Sequence, residues 1–156
     1  MKNPGCGILW SKSMIQYPVQ FTGKSTASSG IKTSWPTKAS GHELNCSVPA
    51  EFEGDGTNPS PEDYFLLAIQ NCFVATFKVF AEYSKLTFNE VSIQSELEVD
   101  RNPDGKITMK SMVLNIQIIG VSDEKKARLL VDKTLKTGFI IQSVKTEITP
   151  HVSILT

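Results

Sequence analysis

The feature that most constrains the fold is the run 64–83, which contains neither proline nor glycine and carries apolar residues on almost every side. It follows Ser60, Pro61, Glu62 and Asp63, a typical helix start. The serine can cap the first amides, proline suits the first helical position, and acids favour the positive end of the helix dipole. Since a helix that is apolar all round is usually buried, the sequence predicts one long central helix.

The remaining patterned segments surround this helix and alternate between apolar and polar residues or repeat at helical spacing. RNPDG between two of them is a strong hairpin turn, and Pro150 in the last one indicates a bulge or an edge strand. The order β-β-β-α-β-β-α-β predicts an α+β fold in a single domain over 1–156. In chain order the predicted segments are strands over 14–21, 31–35 and 42–48, the long helix, strands over 90–100 and 106–120, a helix from Ser122 to about Thr137, and a strand over 143–155.

Composition excludes several classes of protein. Sixteen basic and sixteen acidic residues give a net charge near zero, so neither a nucleic acid nor an anionic membrane is expected as a partner. We find no signal peptide, and no run approaches the roughly 20 consecutive apolar residues of a membrane span. Cys6, Cys46 and Cys72 are an odd count without CxxC spacing, which favours a reducing compartment. We therefore expect a cytoplasmic protein without disulfides.

Cys72 is the main candidate for chemistry. It lies in the middle of the long helix beside Gln70 and Asn71, two polar residues in an otherwise apolar stretch. From the pattern alone it is either a small core residue or a reactive thiol. Cys46 allows the same two interpretations on a strand, where the small buried residue is favoured.

The run NPSPEDYFLLAIQNCF resembles the signature of the OsmC/Ohr family of thiol-dependent hydroperoxide reductases. In that signature a peroxidatic cysteine follows ten residues after the first Glu of a helix start, and Glu62 and Cys72 keep this spacing. The resemblance covers roughly 48–154 and implies an OsmC-like antiparallel sheet around the central helix, assembled as an intertwined dimer. It also implies that Cys72 attacks the peroxide and that Glu62 orients a basic partner.

Two functional positions of the family are not matched. In the family, a resolving cysteine begins a Cys-Pro-x-Ser-like stretch. If Ser143 is taken as the serine of that stretch, Ile140 stands three residues earlier in place of the cysteine, and isoleucine cannot form a disulfide. Its arginine comes from the N-terminal strands, whereas the arginines of this chain are Arg101, in the hairpin turn, and Arg128, on the second helix. A positive charge could come instead from Lys24, Lys32 or Lys38, and the sequence does not choose among them.

Helix geometry indicates how Glu62 and Cys72 could serve one site. Ten residues at a rise of about 1.5 Å place them about 15 Å apart along one helix, too far for contact. If both act on one substrate they belong to different chains, which favours a symmetric homodimer. The alternative is a monomer whose own sheet wraps the helix.

Two functions remain open from the sequence. The first is a one-cysteine peroxidase that reduces a small organic hydroperoxide and needs no cofactor, because an external thiol restores Cys72. His42 and Cys46 alone do not form a metal site, and His151 is expected at a surface or edge. The alternative is a catalytically impaired family member that binds a small apolar ligand at the dimer interface. Its pocket would be lined by Tyr64, Phe65, Phe73 and Phe77.

Overall fold

The computed structural model describes residues 15–156, which form two compact units that divide between Asn58 and Pro59. Cys6 and the Met14 end of the first predicted strand lie outside the described residues. The expectation of a single domain over 1–156 stays a prediction.

The first unit contains a three-stranded antiparallel sheet in the order β1-β2-β3. Its last two strands are joined by Ser40 and Gly41, both at positive φ (51° and 82°), which is the two-residue hairpin connection that matches strand twist. A short 3-10 turn follows the sheet. The bounds are β1 Gly23–Ser25, β2 Trp35–Ala39, β3 His42–Cys46 and the turn Ala50–Phe52.

The strands of this unit differ from those predicted. No strand forms over the described residues 15–21, where Pro18 has no N–H to donate to a neighbour. The strand predicted over 31–35 begins only at Trp35, because the backbone N–H and Oγ1 of Thr33 both donate to the Gly30 carbonyl and form a turn. The strand predicted over 42–48 is confirmed in its first part, His42–Cys46.

The second unit confirms the α+β prediction, and the predicted order of strands and helices is found with one further short helix, α3. Its sheet has the order β4-β5-β6. Asn102 shapes the β4–β5 turn, since its Oδ1 accepts from the backbone N–H groups of Asp104 and Lys106. The bounds are α1 Pro61–Tyr83, β4 Glu90–Arg101, β5 Ile107–Ile119, α2 Glu124–Thr137, α3 Phe139–Ser143 and β6 Glu147–Leu155.

The sheet of this unit is antiparallel in one pair and parallel in the other. β4 and β5 form the predicted antiparallel hairpin, whereas β6 runs parallel to β5. The crossover that a parallel pair requires is formed by α2 and α3. Pro150 lies in β6, at the edge of the sheet, where a residue without an N–H is tolerated.

The helix α2 begins at Glu124, two residues after the predicted start at Ser122. Asp123 is its cap, because the Asp123 Oδ1 accepts from the Lys126 N–H. The predicted cap, Ser122, has a different partner, since its Oγ accepts from the backbone N–H of Thr87. The side chain of Ser122 thus links the chain before α2 to the segment between α1 and β4.

One face of α1 packs in the core of the second unit, against the sheet and α2. Other residues of α1 are exposed, among them Leu67 on the opposite face, at 43%, and Tyr83 in the last turn, at 51%. In a single chain, the helix predicted to be buried all round is therefore buried on one side. The buried core residues of α1, β5 and α2 are Ile69, Cys72, Phe73, Phe77, Phe80, Ala81, Met112, Leu114, Ile116, Ile118, Ala127, Leu130 and Val131.

By length and composition alone, α1 is long and apolar enough to cross a membrane, and 33% of its most apolar window is buried. The core helix of a soluble protein passes the same test, so this single helix is weak evidence for a membrane span.

Candidate functional site

The N-terminus of α1 is fixed by a reciprocal cap. The Ser60 Oγ accepts from the Asp63 N–H at 3.2 Å, and the Asp63 carboxylate accepts from the Ser60 N–H at 2.8 Å. Glu62 follows Pro61 in the same turn, and its Oε2 is buried without a hydrogen-bond partner among residues 15–156. Because a buried carboxylate oxygen without a partner is unfavourable, this oxygen marks a place where a donor is expected.

Cys72 lies on the buried face of α1, beside Phe73, and is only 9% exposed. Glu62 and Cys72 belong to the same unbroken helix, so a rise of about 1.5 Å per residue places them about 15 Å apart along its axis. A single chain therefore does not bring the two predicted site residues together.

The polar residues beside Cys72 have structural partners. The Gln70 Nε2 donates to the Ile93 carbonyl and to the Ser95 Oγ, both on β4, so Gln70 fastens α1 to the sheet. The Asn71 Nδ2 donates to the Leu67 carbonyl one turn earlier. Their presence next to the cysteine is thus explained by the packing of the helix.

The position opposite the Cys72 sulfur is Gly138, between α2 and α3. A Cβ built on Gly138 would lie 3.2 Å from the Cys72 Sγ. Ile140, which the sequence count placed there, is 41% exposed on α3. The sequence count was anchored on Ser143, whose Oγ donates to the Phe139 carbonyl within α3, and its assignment of Ile140 stays a prediction. The short α3 carries too little periodicity to be predicted, and the glycine directly after α2 was the signal available.

The positively charged candidates lie in different settings. Lys24 and Lys38 face each other across β1 and β2 and are exposed, as is Lys32. Both arginines are engaged locally. The Arg101 Nη1 donates to the Gly105 carbonyl in the hairpin turn, and the Arg128 Nη2 lies 2.6 Å from the Glu124 Oε1 one turn away on α2.

The other residues considered for chemistry are separate from one another. Cys46 is buried at the end of β3, opposite Trp35, whereas His42 is exposed at the start of the same strand. His151 is exposed on the edge strand β6, opposite Asn115. Over the described part of the chain, no group of three or more His, Cys, Asp or Glu side chains is arranged to hold a metal ion.

Comparison with known proteins places this architecture in a family. Residues 54–153 match the family model of the OsmC-like protein, a segment that includes Glu62, Cys72 and Gly138. No curated protein matches the chain.

Solved structures share the fold at low sequence identity. An OsmC-like protein of unknown function from Vibrio cholerae superposes with a TM-score of 0.77 at 17% identity, covering 87% of this chain and 100% of its own. An organic hydroperoxide resistance protein OsmC from Legionella pneumophila gives 0.69 at 20%, covering 90% and 100%. A second Vibrio cholerae protein, described as an organic hydroperoxide resistance protein with captopril in one of its active sites, gives 0.66 at 25%, covering 89% and 93%. Since the family model spans most of the sequence and these folds agree, the chain belongs to the OsmC-like family.

Proposed function

We propose that this protein reduces small organic hydroperoxides with Cys72 as its nucleophile and an external thiol as its reductant. The observation that carries the proposal is the position of Cys72, ten residues after Glu62 on a capped helix, with its sulfur facing a residue that has no side chain. Hydroperoxide resistance proteins among the structural neighbours support the same reaction class.

The reacting groups are the Cys72 thiolate, the hydroperoxide and two molecules of an external thiol. The Cys72 thiolate attacks a peroxide oxygen, the O–O bond breaks, and the alcohol leaves after it takes up a proton. The hydroperoxide is thereby reduced by two electrons, and Cys72 becomes a sulfenic acid. External thiols then reduce the sulfenic acid to the thiol with loss of water, and the cycle uses no metal or organic cofactor.

The site is completed by a second copy of the chain in this proposal. The Glu62 Oε2 is buried without a partner among the described residues, and α1 leaves apolar side chains such as Leu67 exposed. An intertwined homodimer would cover this face and set the Glu62 of one chain near the Cys72 of the other. Light scattering that finds a stable monomer at micromolar concentration would overturn the dimer.

A cation is also required in this proposal, because a thiolate formed in apolar surroundings needs a nearby positive charge to offset its lost hydration. Lys24, Lys32 and Lys38 are the candidates, since Arg101 and Arg128 are engaged in their own elements. A lysine delivers a point charge instead of the planar, bidentate donor of arginine, so we expect slower peroxide reduction than an arginine would support. We place this reaction in the cytoplasm, where external thiols are kept reduced.

The experiment that tests the function is a hydroperoxide consumption assay with added thiol, together with mass spectrometry of Cys72. Wild type should consume an alkyl hydroperoxide, and Cys72 should gain one oxygen when thiol is omitted. The rival function is an apolar-ligand binder, which is favoured by the glycine at position 138, since it supplies no second thiol beside Cys72. No peroxide consumption with any thiol, together with binding of an apolar probe, would establish the binder instead.

A further inference from the structure

Gly138 occupies its position for a reason other than backbone conformation. It lies at φ −60° and ψ 120°, which any residue adopts, and it is buried between α2 and α3. Glycine at such a position raises the conformational entropy of the unfolded chain and so disfavours folding. We therefore attribute the glycine to the space that a side chain at position 138 would fill.

A side chain at this position would crowd the Cys72 sulfur. The first carbon would lie 3.2 Å from the Cys72 Sγ, and also 3.2 Å from the Ile141 Cδ1 and the Thr134 carbonyl oxygen. These distances are shorter than ordinary van der Waals contact. Glycine thus leaves one side of the sulfur against bare backbone.

The same geometry suits a disulfide. A disulfide holds the Cβ of one cysteine about 3 Å from the sulfur of the other, because the S–S bond is about 2.05 Å long. The 3.2 Å between the Cβ position at 138 and the Cys72 Sγ is close to that value. A cysteine at 138 could therefore capture oxidised Cys72 within the chain, and the native glycine cannot.

We propose that Gly138 is the residue that determines the reductant, and that it assigns the reduction of oxidised Cys72 to small external monothiols. The proposal rests on the function proposed above. A first thiol RSH attacks the Cys72 sulfenic acid, which forms the mixed disulfide Cys72–S–S–R and releases water. A second RSH attacks that disulfide, giving RSSR and the Cys72 thiol, so the two thiols supply both electrons.

Access explains why the thiol is small. Cys72 is 9% exposed and Gly138 is buried, so little of the Cys72 side chain is open to an attacking thiol. We expect a compact monothiol to reach so enclosed a sulfur faster than a cysteine carried on the surface of a reductant protein. A cysteine at 138 would offer a dithiol an internal disulfide to reduce, whereas Gly138 supplies no second sulfur at this position.

The test starts from a mixed disulfide, so that it does not depend on peroxide chemistry. In the full chain carrying Cys6→Ser and Cys46→Ser, Cys72 is loaded with thionitrobenzoate, whose release is followed by absorbance. Adding Gly138→Cys should expel it without any thiol, at least about tenfold faster than the matched Ile140→Cys variant, because an intramolecular sulfur has a high effective concentration. Equal release from the two variants would overturn the assignment of position 138.

The reductant is tested on the same loaded protein without the added cysteine. Release by 2-mercaptoethanol should exceed release by thioredoxin at least about tenfold, after each rate is divided by its rate on a loaded short peptide. An equal normalised rate for thioredoxin would overturn the proposal. If Gly138→Cys disturbs folding, the test is repeated on a variant that also carries Ile141→Val. This second substitution removes the Ile141 Cδ1, which would crowd the new side chain. Peroxide consumption is measured separately, so failure of the enzyme function is distinguished from failure of this inference.

Discussion

The described chain buries two cysteines in contrasting surroundings. Cys72 belongs to a large apolar core that joins α1, α2 and the β4-β5-β6 sheet. Cys46 is the one buried apolar residue in the described part of the first unit, where it ends β3 opposite Trp35. Burial is similar at both sites, so burial alone does not identify a reactive thiol. What differs is the neighbour of Cys72, a glycine at which even a first side-chain carbon would lie only 3.2 Å from the Cys72 Sγ.

The same contrast extends to the two units. The second unit contains a large buried apolar core, whereas the described part of the first unit buries only Cys46 among its apolar residues and leaves side chains such as Phe21 and Leu44 exposed, Phe21 at 89%. We infer that the folding free energy of the chain resides mainly in the second unit, and that the first contributes apolar surface for the proposed second copy to cover.

The largest expected effect is a loss of hydroperoxide consumption on substitution of Cys72 that does not occur on substitution of Cys46. Cys72→Ser should lower thiol-dependent hydroperoxide consumption at least about a hundredfold, because the nucleophile of the covalent step is removed. Cys46→Ser should keep most of the wild-type rate. The measurement is peroxide loss under excess thiol, with circular dichroism to verify that both variants fold. Full activity in Cys72→Ser would reject the site assignment.

The sequence predicted the Cys72 element better than its partner. The cap at Ser60 and the apolar run to Tyr83 depend on local residues, so α1 was predicted at its observed bounds. The short helix α3 and the approach of Gly138 to Cys72 depend on how the crossover packs, which spacing along the chain does not encode. For the same reason the resemblance led to Ile140, two residues away from the position that faces the sulfur.

The second prediction contrasts the cores of the two units by stability. Phe77→Ala should lower the free energy of unfolding by about 3–5 kcal/mol, because it empties a fully buried site where Phe77 stacks on Phe73 with ring centroids 5.9 Å apart. Leu44→Ala, at a residue that is 49% exposed, should change it by about 0.5 kcal/mol or less in the monomeric chain. Urea unfolding of both variants checks the contrast. A larger loss at Leu44 than at Phe77 would reverse it, and would indicate that Leu44 is covered in the native assembly.

The third prediction concerns the Ser60 cap at the N-terminus of α1, the helix that carries Cys72. Ser60→Ala should destabilise the chain by about 1 kcal/mol, because it removes the acceptor for the Asp63 N–H at a buried position. Ser25→Ala, which removes an exposed hydrogen bond to Thr37 in the first unit, should change stability by a few tenths of a kcal/mol at most. The melting temperature should therefore fall clearly further for Ser60→Ala than for Ser25→Ala. Equal shifts would show that the reciprocal cap at Ser60 contributes no more than an exposed contact.

The smallest expected effect concerns an exposed cluster of charges in the second unit. It tests whether the burial of a residue, and not the unit in which it lies, determines how much the residue stabilises the fold. Lys110 lies in the second unit but is exposed, with its Nζ 2.8 Å from Asp100 and 3.1 Å from Glu98. A hydrogen bond from Ser111 and the Lys110 ammonium lower the pKa of Glu98, and Lys110 also lowers the pKa of Asp100. The two carboxylates in turn raise the pKa of Lys110.

The signs of these shifts define the pH window. Carboxyl groups with lowered pKa values stabilise the fold above their ordinary pKa of about 4, and this contribution is lost as the pH falls through the folded values. The raised pKa of Lys110 stabilises the fold below its ordinary value of about 10.4, and this contribution is lost as the pH rises through the folded value. The difference in urea midpoint between wild type and Lys110→Met should thus be small, constant near neutral pH, and smaller in acid and in strong base. Lys106→Met in the same hairpin is the matched control, and an equal pH dependence there would show that overall charge, and not this cluster, produces the effect.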